Sequence, residues 1–225
     1  MICNPAAIAS RATIALVNPR RLLALALLAG AAYLSLALVA AHARVLPMEH
    51  GARAAIALAR QPALDVPMRA VSLLGDEWGL IPLIVLGSSA ALWARHRRWA
   101  GALPLIMIGT AALQWLAKWA VDRPRPNLAP LGFPSGHVLS VVVLFGLAAY
   151  VLYTIRSDRA ARGLAAAAGI ALVALVAASR LYLEAHWLLD VLGGFLLGLT
   201  YLLLLIWTVE TLAARVRAVA PVSSV

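Results

Sequence analysis

Arg180, His186 and Asp190 stand in the stretch SRLYLEAHWLLD, residues 179–190, between two runs of almost purely apolar residues. Residues four apart share a helical face, so the Asp190 carboxylate can hold one ring nitrogen of His186 and leave the other as a nucleophile. The same two residues also suit a structural pair capping the next helix. A second polar cluster, Phe133-Pro134-Ser135-Gly136-His137, precedes another apolar run. Ser135 is a good N-cap, Gly136 lets a ligand approach the backbone, and the first amides of a helix form an anion site. A third cluster runs from Lys118 to Arg125-Pro126. Lys118 is the one lysine among nineteen basic residues, which points to a need for a compact ammonium at that place. Snorkelling cations at a helix end are the plainer account of this cluster. Together, three cations, a helix N-terminus and two histidines describe a receptor for a tetrahedral oxyanion.

The elements that position these clusters are transmembrane helices. Of 225 residues, 64% are hydrophobic and 12% charged, a composition outside that of soluble domains. Six segments approach the roughly 20 apolar residues of a membrane span: Leu22–Ala41, Leu80–Ala94 (starting near Trp78), Trp99–Ala120, Val138–Ile155, Leu164–Leu183 and Leu188–Val209. The first also resembles a signal peptide ending at Ala41-His42-Ala43, but its core is long for one, and a retained helix is expected. The expectation is an all-α polytopic bundle of six transmembrane helices forming one domain over residues 1–225. A tail (1–21) precedes it, and a loop (42–78) carries short interfacial helices, His50–Arg60 and Val66–Leu74, broken by Pro62 and Pro67. That loop is either a connector or a cover for a site.

Basic residues near helix ends set the orientation. Arg11, Arg20 and Arg21, then Arg95, Arg97 and Arg98, then Arg156, Arg159 and Arg162, and finally Arg215 and Arg217 mark cytoplasmic regions. Glu49, Asp65, Asp76 and Glu77 accompany the cations of the other side, which receives all three polar clusters. The formal charge of +10 therefore reflects topology, because no basic stripe with interleaved aromatics marks a nucleic-acid surface. The single cysteine, Cys3, excludes an internal disulfide, and no zinc-ligand spacing occurs.

Lys118 with six residues before Arg125-Pro126, then Pro134-Ser135-Gly136-His137, then Ser179-Arg180 with His186 and Asp190 resembles the three-part signature of the type-2 phosphatidic acid phosphatase superfamily. The motif-bearing core is about 99–210. The resemblance implies a catalytic core like that of acid phosphatases and haloperoxidases, and a metal-independent lipid phosphate phosphatase without cofactor. Lys118, Arg125 and Arg180, with amides near Ser135 and Gly136, would hold the phosphoryl group. His186 would attack phosphorus, Asp190 would orient it, and His137 would protonate the leaving lipid oxygen. Candidate substrates are undecaprenyl diphosphate, phosphatidic acid and phosphatidylglycerophosphate. A phosphotransferase, or a non-catalytic lipid-phosphate binder or transporter, are the alternative functions. Family members are expected to carry a small residue, often glycine, at position 184. Glu184 either faces water without a role or shapes head-group selectivity. Gly193, Gly194 and Gly198 suit a close-packed helix face.

Overall fold

Runs rich in alanine, leucine and valine cannot leave backbone amides bare in lipid, so they close into helices. The computed structural model describes residues 18–43, 45–155 and 158–219. Eight helices follow one another: α1 (Pro19–Ala43), α2 (Pro47–Leu58), α3 (Pro62–Leu73), α4 (Glu77–Trp93), α5 (Arg97–Val121), α6 (Gly136–Ile155), α7 (Arg159–Tyr182) and α8 (Leu188–Val219). No strand occurs among the described residues. Helices α1, α5, α6, α7 and α8 are each long and apolar enough to cross a membrane, and α3 with α4 counts as a sixth crossing bent by 49°. Arg11 and most of the expected N-terminal tail, Cys3 and Arg156 lie outside the described residues.

The helix ends have local causes. Pro47 and Pro62 occupy the first turns of α2 and α3, where a missing N–H is tolerated. Of the two prolines expected to act as breaks, Pro62 begins α3 and Pro67 is carried inside it, while α2 begins at Pro47. Asp76 caps α4 and Asp158 caps α7 through their carboxylates. Helix α5 stops at Asp122, which is left-handed with φ 40°, just before Pro124 and Pro126. Lys118 consequently sits on the last turn of α5, whereas Arg125 lies in the following loop. Helices α7 and α8 overrun their predicted limits, starting at Arg159 and ending at Val219, because polar interfacial residues extend the hydrogen-bonded ladder beyond the apolar run.

Lipid is as apolar as leucine, so helices associate here through close fit and not through hydrophobic exclusion. Helix α6 is the most enclosed: Val138, Leu139, Val141 and Val143 have no exposed surface. It packs on α7 and α8, while α1 lies along α8 and α5 bridges α4 and α6. Tyr33 of α1 stacks on Phe133 with ring centroids 5.8 Å apart, so the first helix is integral to the packing. Gly193 and Gly194 of α8 face the segment before α6, and Gly198 faces α6 itself. A Cβ on Gly194 would lie 2.4 Å from the Ser135 carbonyl oxygen, and one on Gly193 would strike the Phe133 ring at the same distance. The 42–78 loop is not a pair of helices lying free at the interface. Helix α3 packs on α7, and α2 buries the Glu49 side chain against α8.

Candidate active site

Three helix ends and two loops converge on a cavity of about 200 Å³. Lys118 comes from the end of α5, Arg125 from the loop after it, Gly136 and His137 from the start of α6, Arg180 from the end of α7, and His186 from the turn before α8. Cations more than fifty residues apart in sequence thus face one small space. The Lys118 side chain is buried and its ammonium donates to the Leu131 carbonyl at 2.6 Å, which leaves further N–H donors for a ligand. The Nε groups of Arg125 and Arg180 are buried without a hydrogen-bond partner among the described residues. Buried donors left unpaired cost folding energy, so two of them beside one cavity mark an acceptor-binding site.

His186 is buried and its Nδ1 lies 3.4 Å from Oδ2 of Asp190. Burial drives the imidazole pKa down to about 4, against the opposing pull of the Asp190 hydrogen bond. The ring is therefore neutral near pH 7, with Nδ1 turned to the carboxylate and Nε2 as the remaining nitrogen. Asp190 is fully buried and serves several partners at once. Its Oδ2 accepts from the Trp187 amide at 2.9 Å, its Oδ1 accepts from Arg123 Nη1 at 2.8 Å, and its carbonyl accepts from the Ser135 amide at 2.8 Å. Asp190 thus meets both the amide at the start of α8 and the histidine ring.

Ser135 departs from its expected place. Its amide is spent on the Asp190 carbonyl, and its buried hydroxyl has no hydrogen-bond partner among the described residues. It thus offers neither a cap hydroxyl nor a free amide. The donors of the α6 N-terminus begin at Gly136, which lines the cavity. A Cβ on Gly136 would fall 2.2 Å from the Gln114 amide group, so a side chain there would make Gln114 swing aside.

Glu184 does not stand in water without a partner. Its Oε2 accepts from Arg53 Nη2 of α2 at 2.7 Å, and that hydrogen bond holds its carboxyl below the usual range. Its φ of 51° is left-handed, which gives a physical reason for the glycine expected at this position.

Sequence reasoning missed the partners supplied by the 42–78 loop. Glu49 of α2 has no exposed side-chain surface and accepts from Arg123 Nη1 at 3.1 Å, from Nη2 of the same guanidinium, and from the Leu189 amide at 3.0 Å. Glu49, Arg123 and Asp190 therefore form one buried ionic cluster behind His186. Ser72 of α3 accepts from Nη1 of Arg180, and Asp76, at the bend into α4, places Oδ2 3.9 Å from His137 Nε2. The only sequence signal was the presence of acids in a loop otherwise rich in arginine.

A family model described as the PAP2 superfamily matches residues 99–214, which contain all three polar clusters. Phosphatidylglycerophosphatase B of Bacillus subtilis (strain 168) is 34% identical over 155 residues, covering 64% of this chain and 75% of that protein. Among solved structures, a transmembrane PAP2 type phosphatidylglycerolphosphate phosphatase from Bacillus subtilis superposes with a TM-score of 0.75 at 24% identity, over 88% of this chain and 98% of its own. LpxE of Aquifex aeolicus superposes with a TM-score of 0.54 at 19% identity, over 74% and 96%. These two likenesses concern the fold.

Proposed function

The chain belongs to the PAP2 superfamily of membrane lipid phosphatases, and from that premise we propose that it removes a terminal phosphate from a lipid phosphomonoester or diphosphate. The observation that carries this reading is the convergence of Lys118, Arg125, Arg180, His137 and His186 on one cavity. Phosphatidylglycerophosphate is the first candidate substrate, on the strength of the Bacillus subtilis relative; phosphatidic acid and undecaprenyl diphosphate share the same reacting group.

The geometry supports the following chemistry. The three cations and the amides from Gly136 onward bind the phosphoryl oxygens and neutralise charge in the transition state. The Nε2 lone pair of neutral His186 forms the N–P bond as the P–O bond to the lipid breaks. The departing electron pair stays on the lipid oxygen, which takes a proton from His137. Asp190 holds the proton on Nδ1 and stabilises the positive ring. Water then attacks phosphorus, gives its proton to His137, and releases phosphate and free His186. Fixed cations fill the position a divalent ion takes in other phosphoryl-transfer sites and would repel one, so the reaction proceeds without metal.

The cavity opens at the membrane face carrying the loop around Asn127, the outer face by the distribution of arginines. A phosphate-release screen over lipid phosphates and diphosphates, run with chelator and with His186→Ala, tests the chemistry. Release abolished by chelator, or surviving in His186→Ala, overturns it. Topology is tested by Asn127→Cys in a Cys3→Ser background, since Asn127 is exposed: a membrane-impermeant maleimide added to intact cells should label it.

A further inference from the structure

The segment between α3 and α4, Leu74-Gly75-Asp76, lies against the start of α6. A Cβ on Gly75 would sit 2.8 Å from His137 Cβ and 3.0 Å from the His137 carbonyl oxygen, so this backbone presses on the histidine. The Asp76 carboxylate is held on one side: Oδ1 accepts from the Glu77 amide at 2.6 Å as the α4 cap, and Oδ2 lies 3.9 Å from His137 Nε2. One turn earlier Ser72 is hydrogen-bonded to Arg180. This bend lies outside residues 99–214 and outside the three polar clusters, yet it meets two of the side chains assigned to the reaction.

The charges around His137 give the contact a purpose. Lys118 of α5, Arg125 of the following loop, Arg180 of α7 and His186 share its cavity, and the three cations oppose a positive imidazole. Asp190 of α8 is committed to Arg123, the Trp187 amide and His186. Asp76 is the carboxylate that faces His137 itself. A general acid that must carry a proton among three cations needs such a counter-charge, and an opposite charge within about 4–6 Å supplies it.

We propose that Asp76 is a positioning residue for proton transfer, its Oδ2 drawing the Nε2 edge of His137 and offsetting the charge of the imidazolium until the departing lipid oxygen takes the Nε2 proton. The proposal rests on the phosphatase reading above. It assigns to the α3–α4 bend a part in leaving-group chemistry, separate from phosphate binding.

A leaving-group comparison tests it. Asp76→Asn keeps the helix cap and the side-chain shape while removing the charge. Phosphate release is measured from a lipid phosphomonoester, whose alkoxide needs a proton to depart, and from 4-nitrophenyl phosphate, whose phenolate does not. Wild type and His186→Ala are run beside it. Asp76→Asn should lose about 10- to 100-fold in kcat/KM on the lipid, which reports the leaving-group step and not the shared hydrolysis of phospho-His186, part of the roughly 10²–10⁴-fold that general acid catalysis supplies. It should lose less than about 3-fold on the aryl ester, and His137→Ala should show the same selectivity to a greater degree. Asp76→Glu should restore part of the lipid rate. Equal losses on both substrates, as misfolding or weakened phosphate binding would give, overturn the proposal, as does an undiminished lipid rate. Failure of wild type to release phosphate from either ester would refute the phosphatase reading instead.

Discussion

Glu49→Ala removes a carboxylate whose side chain is fully buried and which meets a guanidinium that is 1% exposed. Two contacts from Arg123 and one each from the Leu189 and Leu46 amides disappear, while Arg123 keeps its bond to Asp190. Removing one partner of a buried ion pair costs about 3–5 kcal/mol, because the other charge stays desolvated. At roughly 2–4 °C per kcal/mol for a chain of this size, the melting temperature should fall by about 6–20 °C. Glu49→Gln keeps the shape and one acceptor oxygen, so it should lose about half as much. Arg60→Ala, which opens an exposed pair with Asp65 at 3.5 Å, should lower the melting temperature far less. Tryptophan fluorescence during heating of the detergent-purified protein reads all three, at low and high salt. The Glu49 loss should persist at high salt, since screening acts on exposed charges and hardly reaches buried ones. A shift under about 3 °C for Glu49→Ala, or one that halves with added salt, would refute the buried-cluster argument.

Gly194→Ala would force a Cβ to within 2.4 Å of the Ser135 carbonyl oxygen, so it should destabilise by about 1–3 kcal/mol and lower phosphate release by shifting the start of α6; full activity would show that α8 can yield there. Glu184→Gly relieves a left-handed backbone worth about 1–2 kcal/mol while losing a partly exposed ion pair worth about 0.2–1 kcal/mol, so thermal unfolding should show equal or higher stability, and a clear loss would refute this weighting. His186 is held down at about 4 when folded, against roughly 6.5 when unfolded, so the unfolded chain takes up the proton first as pH falls. The stability tied to this group is thus fully present above about pH 6.5 and lost toward pH 4. Melting temperatures at pH 7.5 and 5 should fall less in His186→Asn than in wild type, and equal falls would contradict the assigned burial.

Composition and pattern were enough to fix the class of this protein. Apolar runs of span length can satisfy their amides in lipid only as helices, so an all-α membrane bundle followed, with segment limits displaced where prolines start helices or arginines prolong them. Most of the side chains that line the cavity were also legible, because an ionisable group in so apolar a chain is costly and stands out by residue type and spacing. What the sequence could not specify was which distant groups would meet them. Glu49 and Asp76 read as ordinary acids of an outer loop, for nothing local distinguishes a carboxylate destined for burial from one facing water. The folding of α2 and α3 back over the bundle decides it, putting Glu49 against Arg123 and Asp76 against His137. The same holds for Ser135, whose local sequence suits a cap but whose amide is claimed by Asp190 from α8. Spacing along a chain predicts neighbours within one helix. Partners between helices depend on the relative placement of whole elements, which close backbone contacts such as Gly194 against Ser135 and Gly75 against His137 set in the folded bundle.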